Sequence, residues 1–183
     1  MIRNSKTGYG WLATTLHWLM ALLLVALFGL GLWMVSLGYY DPWYVRGPAI
    51  HRSLGVIFFA LLVLRIVWRL VNPKPAFESA FAAWERFLAS TMQYVLYLLM
   101  LLIPISGYLI STAKGKPVSV FGWFDVPALI QLDGFVDLLG QWHAWMAWLI
   151  IVLVVLHASA ALKHHFIDKD DSIRKILGLN HNN

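Results

Sequence analysis

The 183-residue chain contains no cysteine. That absence excludes disulfides, thiolate metal sites, iron–sulfur clusters and a cysteine nucleophile. Charge is also scarce. Only 13% of residues are charged, about half the share of a soluble domain, and its long apolar runs lack the polar outer stripe that a soluble helical bundle carries. What fills the chain is apolar: 60% of residues are hydrophobic, including ten Trp, ten Phe and seven Tyr. This balance excludes a disordered chain and disfavours a soluble globule. The length allows one domain. A pI near 9.6 suggests nucleic acid when a protein is soluble. Here the basic residues punctuate apolar runs, so membrane topology accounts for them and no nucleic-acid partner is expected.

A bilayer core of about 30 Å takes roughly 20 helical residues to cross. Four segments qualify, at about 11–37, 50–71, 87–112 and 135–166. The expectation is an all-α membrane protein, a four-transmembrane-helix bundle forming one domain over residues 1–183. The breaks are Tyr39-Tyr40-Asp41-Pro42 with Gly47-Pro48, then Asn72-Pro73-Lys74-Pro75, then Lys114-Gly115-Lys116-Pro117, all rich in helix-stopping residues. Arg3 and Lys6 precede the first run, which is too long for a cleaved signal peptide and has no small-residue cleavage site. Arg3, Lys6, Arg69, Lys74, Arg86, Lys163, Lys169, Arg174 and Lys175 fall on one side, against Arg46, Lys114 and Lys116 on the other. The positive-inside rule puts both termini in the cytoplasm. The tryptophans near the span ends read as an aromatic belt around membrane lipid.

Ionisable groups inside spans are costly and point to function. His143 and His157 are 14 residues apart on the fourth span. Fourteen residues turn a helix by about 1400°, roughly 40° short of four turns, and rise about 21 Å. Both imidazoles therefore share a face at two depths. His17, near the cytoplasmic start of the first span, matches the depth of His157. His51, at the outer start of the second, matches His143. Imidazole suits iron, copper and zinc. Two stacked bis-histidine sites without carboxylate or thiolate best fit axial ligation of two b-type haems. Without a C-x-x-C-H motif these haems are not covalently attached.

Arg65, 14 residues after His51, reaches the inner level and is suited to a haem propionate. Arg69 follows one turn later, for a propionate or for snorkelling to the interface. Arg52 is a further candidate cofactor contact at the outer level. Gly31, 14 residues after His17, and Gly55, four after His51, would let a porphyrin edge approach; small-residue helix packing explains them as well. His164 lies seven residues after His157, beside Lys163. It suits either quinone binding and proton transfer or an interfacial cation near anionic lipid. His165 fits the interfacial role, and His181 a solvated tail. Asp170-Asp171 before Ser172 marks the start of a short amphipathic helix, 173–179.

His17 in Leu16-His17-Trp18, His51 in Ile50-His51-Arg52-Ser53, His143 after Trp142 and His157 in Leu156-His157-Ala158 resemble the ligand set of the bacterial cytochrome b561 family. Lys163-His164-His165-Phe166 with Asp168-Lys169-Asp170 is similar to that family's cytoplasmic ending. The resemblance runs from about residue 10 to 171. It implies an inner-membrane four-helix bundle with two haems b that exchanges electrons with the ubiquinone pool. It also implies relatives that oxidise superoxide at the periplasmic face, and others that act as haem subunits of larger redox complexes. The expected function is electron transfer between a periplasmic redox partner and ubiquinone. The alternatives are a single-chain superoxide:ubiquinone oxidoreductase and a membrane anchor for a soluble redox subunit. The quinone is expected at the cytoplasmic end, at His164, Lys163 and Arg69. Steering of superoxide would need Lys114, Lys116 and Arg52 to cluster, because the outer loops also hold Asp41, Asp125, Asp133 and Asp137.

Overall fold

The computed structural model describes residues 1–5, 8–73, 75 and 82–178. Lys6, Lys74, Leu179 and His181 lie outside the described residues. Four long helices follow the four apolar runs: α1 Trp11–Val35, α2 Arg46–Val71, α3 Ala83–Thr112 and α4 Val136–Phe166. Each is long and apolar enough to cross a membrane. A short α5, Ser172–Ile176, follows them.

Local chemistry sets the ends. α2 begins at Arg46, four residues before the start read from sequence, and takes Gly47-Pro48 into its first turn. Proline is tolerated there because a first-turn N–H has no intrahelical acceptor to lose. The loop before it is fixed by Asp41, whose Oδ1 accepts the Trp43 N–H at 2.7 Å. α3 also starts earlier than expected, at Ala83, because Glu85 accepts the Ala82 N–H at 2.9 Å and so satisfies an end donor. The tail helix is shorter than the expected 173–179, ending at Ile176. It is tied to α1 where Trp18 Nε1 donates to the Ile176 carbonyl at 3.1 Å.

Neighbouring helices pack in sequence: α1 on α2, α2 on α3, α3 on α4. The apolar core lies at mid-depth. Met20, Phe58 and Leu62 form one buried cluster; Leu96, Leu99 and Ile150 form another, with Leu24 and Met100 packed against both. An apolar plug therefore separates two polar levels of the bundle.

The loop after α3 holds an antiparallel hairpin, β1 Val118–Val120 with β2 Phe124–Val126. Its tip places Phe121 at φ 50° and Gly122 at φ 73°, the positive-φ pattern of a primed hairpin turn. Val118 and Val120 are buried, so this element packs onto the outer end of the bundle. Ser53 on α2 anchors it: its Oγ accepts the Phe121 N–H at 3.1 Å and lies 3.3 Å from the Ser119 carbonyl.

Candidate functional site

At the outer level His51 and His143 meet between α2 and α4, with ring centroids 6.2 Å apart. Each ring rests on a glycine, but only one is held by hydrogen bonds. The Cε1–Nδ1 edge of His51 lies over Gly31 of α1, where a methyl group would sit 3.5 Å from Cε1, and its Nδ1 makes no short hydrogen bond. The same edge of His143 rests on Gly107 of α3, where a methyl group would sit 3.2 Å from Cε1. His143 Nδ1 is 3.1 Å from the Ile103 carbonyl, four residues before Gly107, and 2.9 Å from Ser106 Oγ.

For His143, the Ile103 carbonyl beside Nδ1 favours the proton there and leaves Nε2 as the coordinating nitrogen. Two imidazoles are a donor set that suits a haem iron, and the 6.2 Å between the ring centroids leaves room for one metal between them. The donor set, the orientation and the spacing of the outer pair fit a shared metal centre. Gly107, Ser106 and Ile103 were missed in the sequence. The available signal was the small, polar Ser106-Gly107 step inside an otherwise apolar run.

The inner level is built differently. Arg65 Nη2 donates to His17 Nδ1 at 3.0 Å, and Arg65 Nε donates to the Tyr97 hydroxyl at 3.0 Å. His157 lies within electrostatic reach of both His17 and Arg65. Arginine always donates, so His17 here carries its proton on Nε2. His17 therefore fits a metal through Nε2 only when Arg65 changes partner. Arg69 Nη2 donates to Gln93 Oε1 at 3.1 Å, and its guanidinium lies 5.0 Å from the Tyr97 ring centroid. Arg65 and Arg69 thus bind neutral acceptors in these contacts. Tyr97, which sequence reading passed over, joins the two.

Sequence reasoning put Lys163 and His164 near Arg69. The structure engages Lys163 and His164 with carboxylates. His164 Nδ1 is 2.7 Å from Asp168 Oδ2 and 3.7 Å from Asp170 Oδ2. Lys163 Nζ is 2.6 Å from Asp168 Oδ2 and 3.7 Å from Glu85 Oε1. A hydrogen bond from Lys163, with the His164 imidazole close by, holds the Asp168 carboxyl below its ordinary range. Gly55 has no atom outside its own helix backbone within 4 Å, so close helix packing does not explain that glycine. At the outer surface Lys114 pairs with Asp133 at 4.0 Å, both well exposed.

Four membrane-length helices, with His51 facing His143 at one level and His17 on Arg65 at another, form a helical bundle able to span a membrane. A family model for prokaryotic cytochrome b561 matches residues 8–179, and the chain belongs to that family, whose members bind b-type haem. It is 48% identical over 176 residues to cytochrome b561 homolog 2 of Escherichia coli, covering 96% of this chain and 94% of the relative. It is 29% identical over 170 residues to the probable superoxide oxidase CybB of Yersinia pestis, covering 92% and 95%. Cytochrome b561 homolog 1 of Escherichia coli is 26% identical over 127 residues, covering 69% and 72%.

Proposed function

We propose that this chain is a bacterial inner-membrane electron carrier, with both termini cytoplasmic, that moves electrons between a periplasmic donor and the ubiquinone pool. Two b-type haems would be held by His51 with His143 and by His17 with His157, and would supply one-electron chemistry at each level. The observation that carries this reading is the facing pair His51 and His143, ring centroids 6.2 Å apart, each ring resting on a glycine. The contacts of His143 Nδ1 with Ile103 and Ser106 leave Nε2 of that ring as the ligating nitrogen.

The residues would act as follows. With two histidines on each iron, oxygen binding would be disfavoured and outer-sphere electron transfer would remain. Arg65 would leave His17 to pair a propionate; the single proton of the neutral His17 ring would then move from Nε2 to Nδ1, leaving Nε2 as the ligand. Arg69, on the same helix one turn on, adds positive charge at that level. Arg52 serves the outer site, and Gly31 and Gly55 leave room for a macrocycle edge. The apolar plug of Met20, Phe58, Leu62, Leu96, Leu99 and Ile150 keeps water from short-circuiting the two levels.

Quinone would be bound at the cytoplasmic end, beside His164 and Lys163 with Arg69 on the neighbouring span. Quinone reduction takes up two protons, so a histidine at the membrane surface is well placed to deliver them. The kinship with a probable superoxide oxidase favours superoxide as one donor. A periplasmic redox protein is the competing donor.

The decisive test is a reduced-minus-oxidised spectrum of purified protein with a haem-to-protein ratio. Two low-spin haems per chain are expected, and a single haem refutes the pairing. For the quinone site, His164→Leu is expected to keep both haems and slow haem oxidation by quinone. Unaltered rates in both directions would place the site elsewhere.

A further inference from the structure

We propose that Asp168 is the positioning residue for His164, fixing the imidazole so that its Nε2 exchanges protons with quinone; this rests on the quinone site proposed above. One carboxylate oxygen, Asp168 Oδ2, lies 2.7 Å from His164 Nδ1 and 2.6 Å from Lys163 Nζ. Sequence spacing alone supplies an i,i+4 pair, but α4 ends at Phe166. The backbone has to bring Asp168 back, and it does. The N–H groups of Ile167 and Asp168 both reach the Lys163 carbonyl, at 2.8 and 3.3 Å. Lys169 then adopts φ 55°, a left-handed conformation that side chains larger than glycine rarely take. The reversal bonds the Asp170 N–H to the His164 carbonyl at 3.1 Å and brings a second carboxylate, Asp170, within 3.7 Å of the same Nδ1. Non-glycine residues in this region concentrate at functional sites.

The chemistry follows from the contact. A carboxylate on Nδ1 keeps a proton on that nitrogen, so the imidazole gains and loses its other proton at Nε2. Reduction of one quinone consumes two electrons and two protons and breaks no carbon bond. The electrons would be supplied one at a time by the periplasmic donor proposed above. Each proton leaves His164 Nε2 for a reduced quinone oxygen and is replaced from cytoplasmic water. Asp168 stays ionised throughout, because Lys163 shares its oxygen. Among the described residues, the charged groups facing the imidazole include Lys163 on α4, Asp168 and Asp170 on the turn, and Glu85 of α3, whose carboxylate lies within 4.8 Å of a ring nitrogen.

The test uses the full-length haem-loaded protein and the variant Asp168→Asn, with Asp168→Glu as the rescue. Imidazole ¹⁵N shifts of His164 report the tautomer without any turnover. They are expected to show an Nδ1-protonated ring in the parent and in Asp168→Glu, and mixed tautomers in Asp168→Asn. With a short-chain ubiquinone, Asp168→Asn is expected to keep two haems and a quinone KM within about twofold, while turnover falls about tenfold, the size of a lost supporting contact. The solvent isotope effect is expected to rise. Unchanged ring shifts in Asp168→Asn overturn the proposal, as does a turnover loss that follows haem content or that Asp168→Glu fails to restore. If ring shifts move as expected but His164→Leu leaves quinone rates intact, the positioning stands and the quinone site falls.

Discussion

Gly107 on α3 and His143 on α4 meet so closely that a single methyl group on the glycine would lie 3.2 Å from the imidazole Cε1. That contact is the tighter of the two glycine contacts in the outer pair and sets how closely α3 and α4 can approach at this depth. The equivalent contact between Gly31 and His51 is looser, at 3.5 Å.

The difference predicts unequal effects of one methyl group. Gly107→Ala is expected to push His143 from its carbonyl partner, lower affinity at the outer site by about tenfold and leave the inner site intact. Gly31→Ala is expected to disturb the outer site less, since 3.5 Å from the His51 ring is ordinary contact. Haem titration followed by visible spectroscopy checks both. Equal losses in the two variants would contradict the asymmetry.

Removing a ligand is a coarser probe. His143→Ala is expected to abolish the outer low-spin signal while most of the inner one survives, because the pairs sit at opposite ends of the apolar plug. Loss of both signals would mean that the levels are not independent.

Arg65→Leu removes a positive charge from the inner level. Positive charge favours the reduced iron, so the inner midpoint is expected to fall. A hydrogen bond from a charged group is worth roughly 1.5–3 kcal/mol, which is about 65–130 mV for one electron. A redox titration reads the shift, and an unchanged or raised midpoint would assign Arg65 to a lipid or a protein carboxylate.

The cluster at the end of α4 predicts a dependence on pH. Lys163 lowers the Asp168 carboxyl in the folded protein. A carboxyl depressed on folding adds stability above its unfolded value and loses that contribution as pH falls through the folded one. The turn after α4 is therefore expected to stay docked at neutral pH and to loosen in acid. Amide exchange at Asp168 and Asp170, followed from pH 7 downward, measures it. Protection that persists after full carboxyl protonation would exclude the ion pairs as its cause.

Ser53→Ala removes the hydroxyl that accepts the Phe121 N–H. An unpaired N–H beside the buried Val120 costs about 1–3 kcal/mol. Hairpin amides are expected to exchange faster while haem content is retained, because Ser53 does not touch the His51 ring in the contacts described. Unchanged exchange would show that apolar packing alone holds the hairpin.

Much of this molecule is readable from residue order. Four apolar runs of membrane length dictate four helices, because backbone polar groups in lipid must be satisfied within the segment. The 14-residue interval between His143 and His157 puts two imidazoles on one face at two depths, since helical rise and twist are fixed. The level of Arg65 follows likewise from its distance to His51, and the structure brings it to His17 at 3.0 Å.

What no periodicity supplies is the partner across a helix interface. Gly107 against His143, Tyr97 on Arg65 and Ser53 under the hairpin all depend on crossing angles and on the separation of helix axes, which side-chain packing at the contact decides. The hairpin escaped notice because its strands are three residues each, too short to show alternation. The return of Asp168 onto His164 depends on one left-handed residue, Lys169, whose side chain gives no hint of that conformation. Sequence fixed the depth of each polar group; tertiary packing decided which of them touch, because contact requires two helices to agree on an angle and a distance that neither encodes alone.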